Sequence, residues 1–82
     1  MPRFYFDTTD TGHMVVDDEG IDCSGREAAR DEAVSALPYM ALDALPDGDR
    51  RDFSVQVRDE TGRVVLKACL VFSVAWLDPV GD

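Results

Sequence analysis

The side chains that could perform acid–base chemistry are one histidine and a large set of carboxylates. His13 is the only histidine among 82 residues, which also include 17 Asp and Glu. A histidine base needs a partner to activate or to orient it, and no cysteine or serine stands at a recognisable motif spacing from His13. A catalytic carboxylate pair needs one member with a raised pKa, which composition alone does not indicate. We therefore predict an exposed turn residue and no catalytic residue; the alternative is a small-molecule or metal-binding enzyme built around His13.

The two cysteines are the other candidates for reactive side chains. Cys69 follows Lys67 by two residues on one face of a predicted strand, where the ammonium group would stabilise a thiolate if the thiol were exposed. We favour a small buried apolar residue instead. Cys23 and Cys69 have no second pair at zinc-ligand spacing, residues 17–20 lack the ligand spacing of a calcium loop, and the glycines do not form a phosphate loop. We predict no metal and no cofactor.

The charge of the chain indicates which partners it can attract. Eight basic residues against 17 acidic ones give a formal net charge of −9 and a pI near 4.3. This balance disfavours nucleic acid and anionic membranes and favours a basic protein partner. No secretory signal pattern is visible, and the longest apolar run, residues 68–77, is too short to span a bilayer. A cytoplasmic protein is the expectation.

Residues 24–45 show the pattern of one amphipathic helix that the rest of the chain must cover. Ser24 and Glu27 stand at the spacing of a capping box. Pro38 lies inside the pattern, and we expect a kinked but continuous helix there. The helix is expected to end before Pro46. At about 100° per residue, one arc collects Ala29, Ala33, Val34, Ala36, Leu37, Met40, Ala41 and Ala44.

Four strand patterns flank this helix, two on each side. Alternation of apolar and polar residues predicts strands over residues 3–8, 13–17, 53–58 and 64–76, with turns at Gly12 and Gly62. The predicted fold is α+β with the order β-β-α-β-β, a four-stranded antiparallel sheet with one long helix packed on one face. Strand orders 2-1-3-4 and 1-2-4-3 both fit. The whole chain, residues 1–82, is expected to be one domain with a disordered tail at about 78–82.

The sheet face away from the helix is expected to be polar except near the last strand. Its residues are Arg3, Tyr5, Asp7, Gln56 and Arg58 and, in the last strand, Val65, Cys69 and Val71. That strand forms a long apolar edge through residues 70–74, which a second chain would cover. We predict a non-enzymatic protein–protein interaction domain, either a homodimer or the acidic partner of a basic protein. The alternative is that residues 71–76 fold back over the protein's own core. The candidate interaction surface consists of Tyr5, Val65, Lys67, Cys69, Val71 and Trp76.

The chain resembles a family of small bacterial proteins that share a domain of unknown function. The likeness lies in MPRFYFD at residues 1–7, DEG at 18–20, the Ala-Ala and Glu-Ala pairs at 28–29 and 32–33, and VRDETGRV at 57–64. It covers nearly the whole chain and implies the fold, but no activity and no catalytic residue. The C-terminal stretch is more apolar here than the family pattern.

A looser resemblance is to partner-binding antitoxins with a small αβ domain. It rests on the acidic turn at residues 18–20 followed by an alanine-rich helix. Those antitoxins usually begin with three strands, whereas two strand patterns precede this helix. The likeness implies a basic toxin as the partner and is an analogy of fold.

Overall fold

The computed structural model of the protein describes residues 1–44 and 48–78. Its elements in chain order are β1 (Arg3–Asp10), β2 (His13–Val15), β3 (Ile21–Asp22), α1 (Arg26–Ala44), β4 (Arg50–Arg58) and β5 (Val64–Ser73). One helix and one antiparallel sheet confirm the predicted α+β class. No helix in the described part of the chain has the length and apolar character needed to cross a bilayer. The predicted tail lies outside the described residues except for Asp78.

The strands of the described residues form one five-stranded sheet with the order β2-β1-β4-β5. This is the first of the two orders that the sequence allowed, and it places β1 and β4 at the centre. The fifth strand was not predicted: β3 is two residues long and pairs with the start of β1, on the same side as β2. Strand β1 therefore has a gap along this side between its two short partners.

The core lies between the central strands and the inner face of α1. Because Val57 lies opposite Phe6 on β1 and opposite Leu66 on β5, the alternate residues of all three strands share one face. The helix packs mainly on β4, and less on β5 and β1. The buried apolar residues are Phe4, Cys23, Ala29, Ala33, Leu37, Phe53, Val55 and Val57.

The buried stripe of α1 is narrower than the sequence indicated, and the helix starts later, at Arg26. The first helical hydrogen bond runs from the N–H of Ala29 to the carbonyl of Gly25, so Gly25, and not Ser24, is the N-cap. The residues of α1 that are fully buried recur every four positions, and Val34 lies outside that stripe with 43% of its surface exposed. The helix continues through Pro38 as predicted. The expected stop at Pro46 lies outside the described residues.

Strand β5 differs from its predicted form at both ends. A bulge interrupts the register where Arg58 pairs with Val64 while the preceding Val57 pairs with Leu66. The extra residue, Val65, is half-buried and packs against the core, so its predicted place on the uncovered face was wrong. The strand ends at Ser73, three residues before the predicted end. Residues 74–78 continue beyond the sheet.

Gly20 allows the chain to return along the edge of β1. Its φ is +76°, a left-handed conformation that disfavours side chains. A Cβ atom at this position would lie 2.9 Å from Cγ of Arg3 and 3.0 Å from both the carbonyl oxygen of Phe4 and Cε2 of Tyr5. The loop therefore requires glycine both for its backbone angle and for its close approach to β1.

We expect Gly20→Ala to destabilise the protein more than Gly62→Ala does. Gly62 has a similar φ of +88°, but no described atom lies within 4 Å of the added Cβ. Left-handed strain alone should cost about 1–2 kcal/mol, and the clash with β1 should add about 1–3 kcal/mol at position 20. Urea denaturation followed by circular dichroism measures both free energies of unfolding. Equal losses would contradict the close approach of Gly20 to β1.

Candidate interaction surface

A polar network on the uncovered face of the sheet joins β1, β4 and the loop before β3. The guanidinium group of Arg58 contacts both carboxylate oxygens of Asp7, with Nε to Oδ2 at 2.7 Å and Nη2 to Oδ1 at 3.1 Å. Nη2 also donates to the carbonyl oxygen of Asp17 at 2.8 Å. The centroid of the Tyr5 ring lies 5.1 Å from Cζ of Arg58. Asp7 is buried, although it was predicted on an open face.

Asp17 fills the gap between β2 and β3. Its Oδ2 accepts the backbone N–H of Phe6 at 3.0 Å, at a point where β1 has no strand partner on that side. Its Oδ1 accepts the N–H groups of Glu19 and Gly20, which holds the turn. The N–H of Asp17 itself donates to Oδ1 of Asp7 at 2.9 Å. The side chain of Asp17 therefore takes the place of the strand hydrogen bonds that β1 lacks between β2 and β3.

The two carboxylates are near one another, yet both are held ionised. The side-chain hydrogen bond from Arg58 lowers the pKa of Asp7 against the opposing effect of burial. Burial acts to raise the pKa of Asp17, but its three backbone hydrogen bonds and the charge of Arg58 outweigh burial and lower it. A proton-sharing pair would need one raised pKa. The network thus holds structure together and offers no acid group near neutral pH.

His13 lies in β2, exposed as predicted, opposite Asp10 in the register. The carboxylate of Asp10 is occupied by Arg51, whose Nη2 lies 2.6 Å from Oδ2 and whose Nε lies 3.1 Å from Oδ1. The hydrogen bond from Arg51 lowers the pKa of Asp10. Among residues 1–44 and 48–78, no three His, Cys, Asp or Glu side chains come close enough together to hold a metal ion.

Strand β5 forms the free edge of the described sheet. The N–H of Val74 donates to the carbonyl of Asp49 at 2.8 Å, which continues the ladder with β4. In an antiparallel strand, every second residue directs its backbone groups toward the same neighbouring strand. After the bulge, the even-numbered residues of β5, from Leu66 to Phe72, therefore face β4. The backbone groups of Lys67, Cys69 and Val71 therefore point outward, away from the sheet.

The same three residues place their side chains on the uncovered face. Cys69 lies opposite Ser54, and Val71 lies opposite Asp52. Cys69 is exposed, so the expectation of a buried residue was wrong. The reason is that its strand is at the edge and its face has no helix above it. Val71 is 56% exposed, and the structure brings Lys67, Cys69 and Val71 together as one row.

The other three predicted surface residues lie apart from this row. Val65 is on the bulge and packs against the core. Tyr5 is on β1, two strands away or about 10 Å, where it lies against Arg58. Trp76 follows the end of β5 and is 90% exposed, next to Leu77 at 94%. The exposure of Leu77 was not predicted, because a residue beyond the alternating pattern carries no signal of its side.

The charge around β5 differs from that of the whole protein. No Asp or Glu occurs between Val64 and Leu77, although 17 occur in the chain. A hollow of about 170 Å³ lies beside the first half of β5 and is lined in part by Arg26 and Arg30. Strand β5 itself is thus apolar to weakly basic, whereas Glu27 also lines the hollow and Asp52 lies opposite Val71 on β4.

These features define a small α+β protein with one helix on an antiparallel sheet, closed at one edge by short strands and open at the other. The chain belongs to the family described as Domain of unknown function (DUF6894), whose model matches residues 3–71. Trp76 and Leu77 lie outside the matched residues. No curated protein and no solved structure matches this chain.

We expect Asp7→Asn to destabilise the protein by about 2–3 kcal/mol at neutral pH, because Arg58 loses a charged, buried partner. The pKa of Asp7 is lowered from the ordinary 3.8. Its stabilising effect is therefore present above about pH 4 and is lost as the pH falls through the folded-state pKa. Urea denaturation between neutral and acidic pH should show the difference from wild type shrinking with acid.

The control for this prediction is Asp18→Asn, which removes an exposed carboxylate from the same loop. We expect that variant to unfold like the wild type at neutral pH, since an exposed charge without a buried partner contributes little. A loss for Asp7→Asn that stays constant down to the acid limit would contradict the role of the ionised carboxylate.

Proposed function

We propose that this protein is a non-enzymatic protein–protein interaction domain whose docking edge is β5. The observation that carries the proposal is the free edge itself. Alternate residues of this ten-residue strand present outward N–H and carbonyl groups, flanked by exposed apolar side chains on both faces. An added strand would pair with these groups in the way that many peptide-binding domains recognise an extended partner.

The composition of β5 supports this role because proteins usually protect such an edge. Charged side chains, proline or a covering loop normally prevent edge strands from pairing with other chains. Along β5 the only charged residue is Lys67. On the opposite side of the sheet, β2 and β3 are short, and Asp17 occupies the gap between them. One edge is protected and the other is left open.

Exposed apolar side chains on both faces of β5 would add to the backbone hydrogen bonds of an added strand. Leu70 is on the helix-covered face because it lies opposite the buried Phe53, yet 38% of its surface is exposed. Val71 is exposed on the other face. A strand that pairs with β5 would therefore meet apolar side chains above and below it. Such pairing adds apolar burial to backbone hydrogen bonding.

The acidic partner of a basic protein, including a toxin, is the second form that this proposal can take. Its acidic side chains would come from the outer face of α1, where Glu27, Asp31 and Glu32 are exposed. Because β5 has no acidic residue, we propose that a basic partner would bind on the helix side and not at the strand edge.

Photo-crosslinking in cells of the source organism tests the docking edge. A benzoylphenylalanine replaces Val71 on the free edge or, as the control, Tyr39 on the helix, which is 71% exposed. Position 71 should yield a crosslinked species of higher mass that position 39 does not. If position 71 gives no crosslinked species, or both positions give the same ones, β5 is not a docking edge.

A further inference from the structure

Resting on this proposed function, we propose that the occupant of the docking edge is a second copy of the chain. The two β5 strands pair antiparallel about a two-fold axis, and Trp76 of each copy enters the hollow beside Arg26 and Arg30 of the other. Pairing of this kind is isologous, since both copies use the same surface. It joins the two sheets into one.

Charge distribution selects a second copy over a basic protein at this edge. Each chain carries a net charge of −9, so two copies repel each other wherever acidic surfaces face. The stretch from Val64 to Leu77 is the part of the molecule that lacks Asp and Glu, and it contains Lys67. A strongly basic partner finds no carboxylate there. Two copies meet at β5 with the least repulsion available to this chain.

The geometry of β5 allows self-pairing with matched faces. A two-fold axis perpendicular to the sheet makes neighbouring edge strands antiparallel and keeps both helices on one side. Side chains alternate between the two faces of a strand. The helix-covered faces of the two copies therefore lie on the same side of the joined sheet at paired positions only when the axis passes beside a residue, and not between two residues. The greatest overlap that meets this condition is nine of the ten residues of β5, with the axis beside Cys69 or Ala68. Lys67 of one copy lies opposite an uncharged residue of the other in either register.

The segment after β5 completes the contact. With the axis beside Cys69, Phe72 of one copy lies opposite Leu66 of the second copy, and Val74 lies beyond that copy's bulge, near its Val64. Two residues further, Trp76 reaches the start of that copy's β5, where the hollow of about 170 Å³ opens between the strand and α1. Its lining combines two guanidinium groups and the carboxylate of Glu27 with apolar side chains, and the guanidinium groups can stack on an indole ring. This accounts for an otherwise solvated Trp76 and Leu77.

The accessible surface and the radius of gyration of the protomer are both larger than those of a compact monomer of this size. Its accessible surface is 5943 Å², whereas a monomeric protein of this mass exposes about 4,900 Å². The excess of about 1,000 Å² compares with the roughly 800 Å² that each partner buries in a standard interface. The radius of gyration is 15.6 Å, against about 12 Å for a compact domain of this length. Both values include the exposed segment after β5, with Trp76 and Leu77, which the second copy would cover.

Sedimentation velocity and tryptophan fluorescence on the purified chain test the dimer. The mass should rise from 9.1 kDa to twice that value with concentration. The emission of Trp76, the only tryptophan, should shift to the blue over the same range. A short thiol-to-thiol crosslinker should join two copies through Cys69, because opposite or diagonal residues lie about 5–8 Å apart. Cys69→Ser should abolish the product, since Cys23 is buried.

Val71→Pro is the disrupting variant, because it removes an outward N–H and leaves the ladder to β4 intact. It should weaken association at least tenfold, while Val71→Thr, which keeps the N–H and the branched shape, should associate like the wild type. Loss of self-association in both variants, or in neither, would overturn the pairing. The wild-type crosslink through Cys69 decides the matter if the proline variant does not fold.

The two proposals fail in different ways. A wild-type chain that sediments as a monomer at a few hundred micromolar, with unchanged Trp76 emission, overturns the second copy as the occupant. If position 71 still crosslinks to a different protein in the cell, the docking edge stands and only its occupant was wrong. A monomer whose position 71 crosslinks to nothing overturns both.

Discussion

The ion pair between Arg58 and Asp7 is the interaction on which the rest of the sheet depends. It connects the end of β4 to the middle of β1, and through the carbonyl of Asp17 it also fixes the loop before β3. A half-buried charge without a partner is costly, so each of these groups is stable only while the others are in place. The raised pKa of Arg58 and the lowered pKa of Asp7 express the same mutual stabilisation.

This network explains why one edge of the sheet is protected while the other is open. Asp17 can accept the N–H of Phe6 only because Asp7 and Arg58 hold its backbone in place. On the far side, α1 packs mainly on β4, and its alanines bring it close to the sheet. A single helix of this width leaves β5 half covered. The apolar character of the open edge therefore follows from the position of the helix.

Regular patterns in the sequence predicted the elements of this fold, whereas departures from regularity were missed. Alternation found β1, β4 and β5, and the 3.6-residue period found α1 through Pro38. Val65 was assigned to the wrong face because a bulge shifts the alternation by one residue and leaves no mark in the composition. Cys69 was expected to be buried because residue type reports average burial, not the position of its strand in a sheet.

The polar network was missed for a different reason. Asp17 stands in a run of acidic residues that reads as a solvated turn, and its partners are 10 and 41 positions away in the chain. Contacts of that sequence separation depend on strand order, which the sequence left as two alternatives. The opposite charges of Asp7 and Arg58 on one predicted face were a signal of an ion pair. Whether the two residues lie close enough to form it depends on the pairing of β1 with β4, which the sequence left open.

The central pairing of β1 with β4 determines when the sheet can form during translation. Tyr5 pairs with Arg58, so the middle of the sheet cannot form until β4 has left the ribosome. The hairpin of β4 and β5 is local and can close quickly, but the first strand must wait for a partner that is synthesised long after it. The centre of the sheet therefore forms only after β4 has been synthesised, and the nascent strand β1 needs protection from other chains until then.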